Sequence, residues 1–537
     1  FKFGTDFNRI HDKTRLDLFF PARVIFPSLG GPGVAGPTFL NQTPVVFWWG
    51  LANGTTTRAA LPIPFTQDTP SDLASLTRTS VNHNSYGFFG QDEWKVTPGL
   101  TLTMGARYDF ETYPTVYVPN RDMNNVQPRV GLAYALNPRT VVRAGFGIFN
   151  DRQFTSIGQQ ITVVQLGSAG NQPNANIIFP GVAQVRGLFI QPTVGATPLT
   201  PAVSATCYPG GPAVMATTLA QLATCIFTTT GQVPAAPTVG GVIYPGFRDN
   251  MSGNLRTPYS EQGSLQISRE LGGGVAITVG YLYVHGLKLP AHTGLLNGVQ
   301  TGTLPSGKPI FNRMLGGRIY PELGDFYVTD DIGFSIYHGG SFEIEKRFAR
   351  GVSFHGSYTF SKTINNAESV ANLADLPEGP SIGTERAVSR QSVPHRFTLA
   401  FVSQIPESVV VLNKFKFSSL VTVQSGRRFN VFAGSDANMD GNPLSDRPGT
   451  LGRNTLEGPG FASVDLRVAR EIHFSERVSA ELSGDFFNLL NRVNVTDLNT
   501  VYGGIDLSAP PNPVLGFNTP RDASNPFQFQ YGLKIRF

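Results

Sequence analysis

Apolar and polar residues alternate along this chain with a period of two, in segments of about ten residues. That is the period at which successive side chains of an extended strand point to opposite faces. Leu100, Leu102, Met104, Ala106, Tyr108 and Phe110 share one face, and Thr101, Thr103, Gly105, Arg107 and Asp109 the other. Val352, Phe354, Gly356, Tyr358 and Phe360 alternate in the same way with Ser353, His355, Ser357, Thr359 and Ser361. At the C-terminus Phe529, Tyr531, Leu533, Ile535 and Phe537 alternate with Gln528, Gln530, Gly532, Lys534 and Arg536. Weaker copies start near Phe1, Ser85, Gln127, Thr140, Pro258, Val275, Ser341, Arg396, Lys414, Phe461 and Arg477. Together they predict about fourteen to seventeen strands. No apolar run reaches the roughly 18 residues that a transmembrane helix needs.

Short turns join these strands in pairs, at residues 95–100, 136–140, 271–274 and 348–351. Long polar or Gly/Pro-rich stretches separate the pairs, at about 20–82, 150–254, 287–338 and 364–394. Such lengths count against a compact soluble domain. They are expected of an outer-membrane barrel, with short turns on the periplasmic side and long loops outside. A tilted strand of about 9–11 residues crosses the hydrocarbon layer, and there only a helix or a closed barrel pairs the whole backbone. Alternation alone does not say which face meets lipid. Two features favour the membrane barrel. Large polar residues crowd one face, among them Arg107, Asp109, Glu343, Glu345, Arg347, Glu481 and Arg536. Aromatic residues recur at strand ends, at Trp94, Tyr108, Phe110, Tyr281, Tyr283, Phe360 and Phe537, as an interfacial girdle requires. The competing architecture is a soluble propeller or sandwich, and no blade-length repeat supports a propeller. The fold expected is all-β: an antiparallel transmembrane β-barrel of the outer-membrane type, incomplete, with long extracellular loops.

Composition sharpens this picture. Only 15% of the 537 residues are charged, against roughly 25% in a typical soluble domain. Gly (59) and Phe (40) are both enriched. A mean hydropathy of −0.07 fits neither a helical membrane protein nor a disordered tail. The net charge of +5 is small for the length and no dense Lys/Arg run occurs, which argues against nucleic acid as a partner. The opening Phe1-Lys2-Phe3-Gly4 reads as a strand rather than a signal peptide, so either processing or truncation is expected to have removed whatever came before. Cys207 and Cys225 lie in a Gly/Pro/Ala/Thr-rich stretch without histidine. A zinc site would need more ligands nearby, so a loop disulfide in an oxidising compartment is expected, with two unpaired thiols as the alternative.

Candidate chemistry is sparse. Residues 31–36 (GPGVAG) match a dinucleotide fingerprint literally, but no strand precedes and no helical pattern follows. No HExxH, GxSxG or Walker A sequence occurs, and no enzyme is expected. His355 and His473 fall on strands as polar wall residues, and Glu343 and Glu345 next to Arg347 form a charge ladder. One element resembles a metal loop. Asp436, Asn438 and Asp440 followed by Gly441 repeat the start of an EF-hand, but Arg447 stands where the bidentate Glu belongs. A looser Ca²⁺ loop and an Asx-rich turn bonded to its own backbone both remain open. No other cofactor is expected.

Residues 85–109 (SYGFFGQDEWKVTPGLTLTMGARYD) resemble the barrel hairpin of TonB-dependent outer-membrane receptors. Residues 357–362 (SYTFSK), 436–448 and 485–491 (DFFNLLN) extend the likeness, and together they resemble the Oar-like branch. Its full-length members carry an N-terminal carboxypeptidase-regulatory-like domain and a plug. The ending Tyr531-Gly532-Leu533-Lys534-Ile535-Arg536-Phe537 resembles the β-signal read by the barrel-assembly machinery, with Tyr531, Gly532, Ile535 and Phe537 in its defining positions. The resemblance implies a bacterial outer-membrane receptor for energised uptake of a scarce nutrient: an iron chelate, vitamin, glycan or peptide. Its partners would be outer-membrane lipid, the assembly machinery, that ligand, and TonB through an N-terminal segment. A passive porin-like channel and a surface protein for adhesion or secretion are the alternatives. Family barrels have about 22 strands and a plugged lumen. The chain is therefore expected to be the C-terminal two-thirds to three-quarters of a barrel, without plug, TonB-contacting segment or regulatory domain. Its sheet is expected to be an open wall whose last strand pairs only with the strand near 477–489. The alternative is a narrower ring closed by residues 1–9 beside 527–537.

Overall fold

The computed structural model describes residues 1–15, 22–25, 45–48, 78–112, 122–151, 175–178, 193–194, 197–198, 238–239, 242–243, 248–252, 255–294, 298–311, 319, 326–369, 376–379, 381–406, 414–434, 437–438, 445–475, 477–503 and 516–537. Fourteen strands form one antiparallel meander in which each pairs with the next. They are β1 (Lys2–Arg15), β2 (Arg78–Thr97), β3 (Leu100–Thr112), β4 (Val126–Asn137), β5 (Thr140–Asn150), β6 (Tyr259–Gly272) and β7 (Val275–His292). The second half comprises β8 (Phe326–Ala349), β9 (Val352–Asn365), β10 (His395–Gln404), β11 (Phe415–Gln424), β12 (Phe461–His473), β13 (Ser479–Phe487) and β14 (Gln528–Arg536). Two short segments join the same sheet at the loop ends of interior strands: Arg248–Met251, parallel to the start of β8, and Ala387–Val388 beside the end of β9.

The connections alternate strictly. Turns such as 97–100, 137–140, 272–275 and 349–352 lie at one end of the wall, and the long connections at the other. The tight turns depend on backbone that side chains avoid. Gly272, Gly273 and Gly274 all have positive φ (100°, 62° and 74°), a region glycine enters without steric cost. At the neighbouring turn a Cβ on Gly351 would lie 2.6 Å from the carbonyl oxygen of Gln404.

The pairing register fixes the faces. Tyr281 lies opposite Gly340, Gly340 opposite Phe360, and Phe360 opposite His395. Because the side-chain period is two, this row and its alternate neighbours belong to one face of the whole sheet. That face carries Phe88, Met104, Val130, Phe146, Leu265, Val279, Phe342, Phe360 and Leu482, all exposed. The five C-terminal apolar side chains point the same way: Tyr531 is 83% exposed, and Phe529, Leu533, Ile535 and Phe537 are exposed as well. Arg536 lies on the opposite face, bonded to Glu471 and Glu481. Among the described residues β1 pairs only with β2, and β14 only with β13, so the sheet is an open wall.

Two boundaries differ from the sequence reading. The eighth strand begins at Phe326 rather than near Ser341, and the second at Arg78 rather than near Ser85. These extensions run beyond the apolar band, where neither face has to be hydrophobic and the alternation lapses.

Among the described residues the hydrophobic core is small and lies mostly outside the wall. Leu255, Ala291, Phe311, Leu376, Val431, Ala433 and Leu498 are buried at the loop end, and only Ala469 and Ala480 within the paired strands of the second half.

Candidate functional site: a charged wall beneath a knot of outer loops

The polar face carries two ion networks. On β1–β5, the Arg107 guanidinium donates to Asp6 (2.8 Å) and to both oxygens of Asp109 (2.9 Å). Gln127 donates to Asp109, Arg129 donates to Gln127 (3.1 Å), and the Arg129 guanidinium stands 4.4 Å over the Phe149 ring. On β11–β14, Arg467 donates to Glu481 (3.1 Å) and Asp485 (3.2 Å), and Arg536 to Glu471 (2.9 Å), which also faces Lys416. Between these networks β6 and β7 present hydroxyls and amides, such as Gln262 on Ser260 and Thr278 on Ser268. The polar face therefore carries ion networks at its two flanks, and in the middle the hydroxyls and amides of β6 and β7 stand beside the carboxylates of Glu343 and Glu345 on β8. Alternating polar residues on these strands arise from the same period that makes the other face apolar.

Above the wall, at the loop end, four connections are tied by a buried polar hub. Arg447 is its centre. Its two terminal nitrogens grip Glu385 in a fork (2.9 and 2.7 Å), and one of them reaches Glu378 as well (2.9 Å). Glu378 also accepts from the backbone N–H of Arg447 (2.9 Å) and from Lys308 Nζ (2.8 Å). Lys308 in turn donates to the carbonyl of Arg447 (2.8 Å). Arg453 donates to Glu368 (3.3 Å), to the Glu385 carbonyl (2.9 Å) and to Asn365 at the end of β9. Asn454, in the left-handed region (φ 57°), gives its amide to Glu368 and to the Val388 carbonyl, both at 2.9 Å. The connection between β13 and β14 joins through backbone bonds from Tyr502 to Phe432 and from Gly503 to Ala433.

Burial alone would push the Arg447 guanidinium pKa down. The hydrogen bond and charge of Glu385, with the charges of Glu378 and Asp446, more than offset it, and the pKa lies above the ordinary arginine value. The residue is therefore a fixed cation. A forked arginine–carboxylate pair adds geometric specificity to its charge.

The structure distributes the sequence candidates unevenly. Asn438 is in the hub and 1% exposed. Its amide donates to the Glu378 carbonyl (2.8 Å), its backbone N–H to Asp446, and its carbonyl accepts from Phe311. Asp436 and Asp440 lie outside the described residues, as do Cys207 and Cys225. Among the described residues no group of three or more His, Cys, Asp or Glu side chains is arranged to hold a metal ion. Tyr531, Gly532 and Ile535 lie on β14 and Phe537 just beyond it. Arg447 entered the sequence reading only as the residue that spoils an EF-hand. Glu368, Glu378, Glu385 and Arg453 were not singled out. The signal that could have found them is charge: three glutamates in one loop and four arginines in another (Arg427, Arg428, Arg447 and Arg453) stand out in a chain only 15% charged.

The pattern of the family described as an outer membrane beta barrel domain matches residues 115–449 and 442–530, more than half of the chain. The TonB dependent receptor-like beta-barrel pattern matches residues 9–177. No curated protein matches the chain. Among solved structures, the outer membrane transporter YddB from Escherichia coli is similar over 85% of this chain and 45% of its own, at 12% identity and a TM-score of 0.47. The ferripyoverdine receptor of Pseudomonas aeruginosa is similar over 99% of this chain and 48% of its own, at 12% identity and a TM-score of 0.44. A mutant of the ferric enterobactin receptor from the same organism covers 99% and 54%, at 12% identity and 0.43. The chain thus spans about half the length of the solved structures it matches.

Proposed function

The chain belongs to the outer-membrane β-barrel family, as a TonB-dependent receptor-like barrel of the outer membrane, and from that premise we propose that it is the ligand-handling wall of a receptor for energised uptake of a scarce solute. The observation that carries this reading is the receptor-like match over residues 9–177. It takes in Arg107 and Asp109 of the ion network, with Asp6 just ahead of its first residue.

The arrangement suits capture followed by passage. The loops tied by Arg447 hold a fixed outer platform, and the polar face below offers charges of both signs interspersed with neutral donors and acceptors. Such a surface binds a polar solute in many weak contacts rather than one deep pocket. The solute class is an iron chelate, a vitamin, a glycan or a peptide. TonB, acting through a segment N-terminal to this wall, supplies the energy for release. The last strand serves assembly, with Tyr531, Gly532, Ile535 and Phe537 as the address read by the insertion machinery.

Uptake of candidate solutes by cells carrying the full-length receptor tests the reading. Accumulation should stop when a protonophore collapses the proton-motive force. Accumulation that persists makes the protein a passive channel. No accumulation, together with a surface attachment that cells lacking the protein lose, makes it an adhesion protein.

A further inference from the structure

We infer that the apolar face carries, at its loop-side rim on β7–β10, a binding site for the phosphate of an anionic lipid headgroup, built from Lys362, His338 and His395 with their tyrosines. The observations start from register. Tyr283 lies opposite His338, and His338 opposite Lys362. One row below, Tyr281 lies opposite Gly340, then Phe360, then His395. All of these share the face that meets lipid.

Each histidine is held by a phenol. The Tyr281 hydroxyl lies 2.7 Å from His338 Nδ1, and the Tyr358 hydroxyl 2.7 Å from His395 Nδ1. Rings close each pair further, with Tyr283 5.3 Å from His338 and Phe360 5.1 Å from His395. With Nδ1 engaged, Nε2 is the ring nitrogen left for a ligand. A phosphate oxygen is the acceptor that such nitrogens and an ammonium group recognise together.

Charge points to an anion. On the apolar face the positions from 277 to 283 of β7, 338 to 344 of β8, 356 to 362 of β9 and 395 to 399 of β10 include no Asp or Glu. Lys362 is exposed and has no hydrogen-bond or ion-pair partner among the described residues. The contrast with Lys346, on the same face at the turn end, is informative. Its ammonium donates to the carbonyls of Ala349 (3.0 Å) and Val352 (2.8 Å), so the protein itself satisfies it. Height also fits. Nine residues separate Gly274 in the turn from Tyr283, about 31 Å along a strand and about 23 Å across a bilayer at the usual tilt. The outward apolar band of such barrels is about 25 Å tall, so Tyr283, His338 and Lys362 sit at its upper edge, where headgroups lie.

The test is a lipid titration of the full-length protein in detergent, read by intact mass spectrometry, with phosphatidic acid and diacylglycerol as probes. The two share tails and differ in the phosphate. Phosphatidic acid should be retained about tenfold more strongly, the difference one good charged contact makes. The variant Lys362→Glu, alone and with His338→Gln and His395→Gln, should abolish that preference. Lys362→Arg should keep it, and Lys346→Glu should leave it unchanged. Heat-modifiable migration of each variant confirms assembly, and Lys362→Arg carries the test if the others fail to assemble. Equal retention of both lipids overturns the inference and leaves a plain apolar belt. Full displacement of phosphatidic acid by inorganic phosphate also overturns it, in favour of a free-phosphate site. An unchanged preference in the assembled Lys362→Glu, His338→Gln, His395→Gln variant overturns the residue assignment.

Discussion

The wall and the hub are opposite solutions to the same accounting problem. In the wall the backbone is satisfied by strand ladders and the apolar side chains stay exposed, because lipid covers them. In the hub the side chains are buried and polar, and satisfaction comes from paired charges: Arg447 with Glu378 and Glu385, Arg453 with Glu368. A wall built this way tolerates changes that keep the face right. A buried charge network tolerates almost none, since removing one partner strands the other without water.

The largest effect should therefore come from the hub. Arg447→Ala leaves Glu378 and Glu385 facing each other without their shared cation, a loss of about 3–5 kcal/mol. Hydrogen exchange should accelerate across residues 376–394 and 445–460 while β12 and β13 keep their protection. Pairing the change as Arg447→Met with Glu385→Gln should recover part of the loss, because fewer charges are then left unpaired. If exchange rises equally in the wall, hub and wall are one cooperative unit and the comparison fails.

The wall is probed by depth and by face. Val279 lies midway up the apolar face of β7 and is exposed. Val279→Arg should cost about 2–4 kcal/mol in lipid. Gln266→Arg, one strand away on the polar face opposite Gly280, should cost close to nothing. Urea unfolding of the protein refolded into lipid measures both. Equal costs would mean that the two faces are not distinguished by lipid.

A smaller effect on stability, but a visible one on yield, is expected at the last strand. Phe537 is fully exposed and makes little contact with the rest of the wall. Phe537→Ala should leave the unfolding midpoint of assembled protein unchanged and lower the assembled fraction severalfold, measured by heat-modifiable migration of outer-membrane extracts. An unchanged fraction would remove the assembly role of the terminal residue.

How much of this was legible in the sequence follows from the same contrast. Lipid imposes a period of two on every spanning strand, so Leu100 to Phe110 and Phe529 to Phe537 could be assigned to faces from their order alone. The register then came out as the alternation required, with Leu102 opposite Leu132 and Leu482 opposite Leu533. The hub has no period. Arg447 meets Glu378 across 69 residues and Glu385 across 62, and nothing local to any of the three encodes the partner. The strand extensions above the membrane escaped for a related reason: at Thr329, Asp330 and Asp331 of β8 neither face needs to be apolar.

A disulfide between Cys207 and Cys225 would act on the connection between β5 and β6 rather than on the wall or the hub. It closes a loop of modest length, and the chain-entropy model assigns such a crosslink roughly 3 kcal/mol, confined to a connection outside the wall. Non-reducing peptide mapping should recover the two cysteines in one linked fragment, and reduction should not shift unfolding of β6–β14. Free thiols at both positions would leave the connection uncrosslinked.

The smallest expected effect is that of calcium. A Ca²⁺ loop at Asp436, Asn438 and Asp440 needs three side-chain oxygens converging at about 2.3–2.6 Å. Asn438 is drawn instead into the hub: its amide donates to the Glu378 carbonyl and its backbone N–H to Asp446. Its side chain is thus oriented by protein contacts whether or not a cation is present. An ion bound at a hundred times its Kd would stabilise the folded loops by about 2.7 kcal/mol, which calorimetry resolves easily. The outcome expected is no shift in the unfolding temperature on adding calcium or a chelator. Asn438→Ala should destabilise the hub equally in both conditions, because the bond it loses is to Glu378. A calcium-dependent shift that disappears in Asn438→Ala would instead make this corner of the hub a cation site, and would add an ionic bond to the knot that distinguishes the loops from the wall.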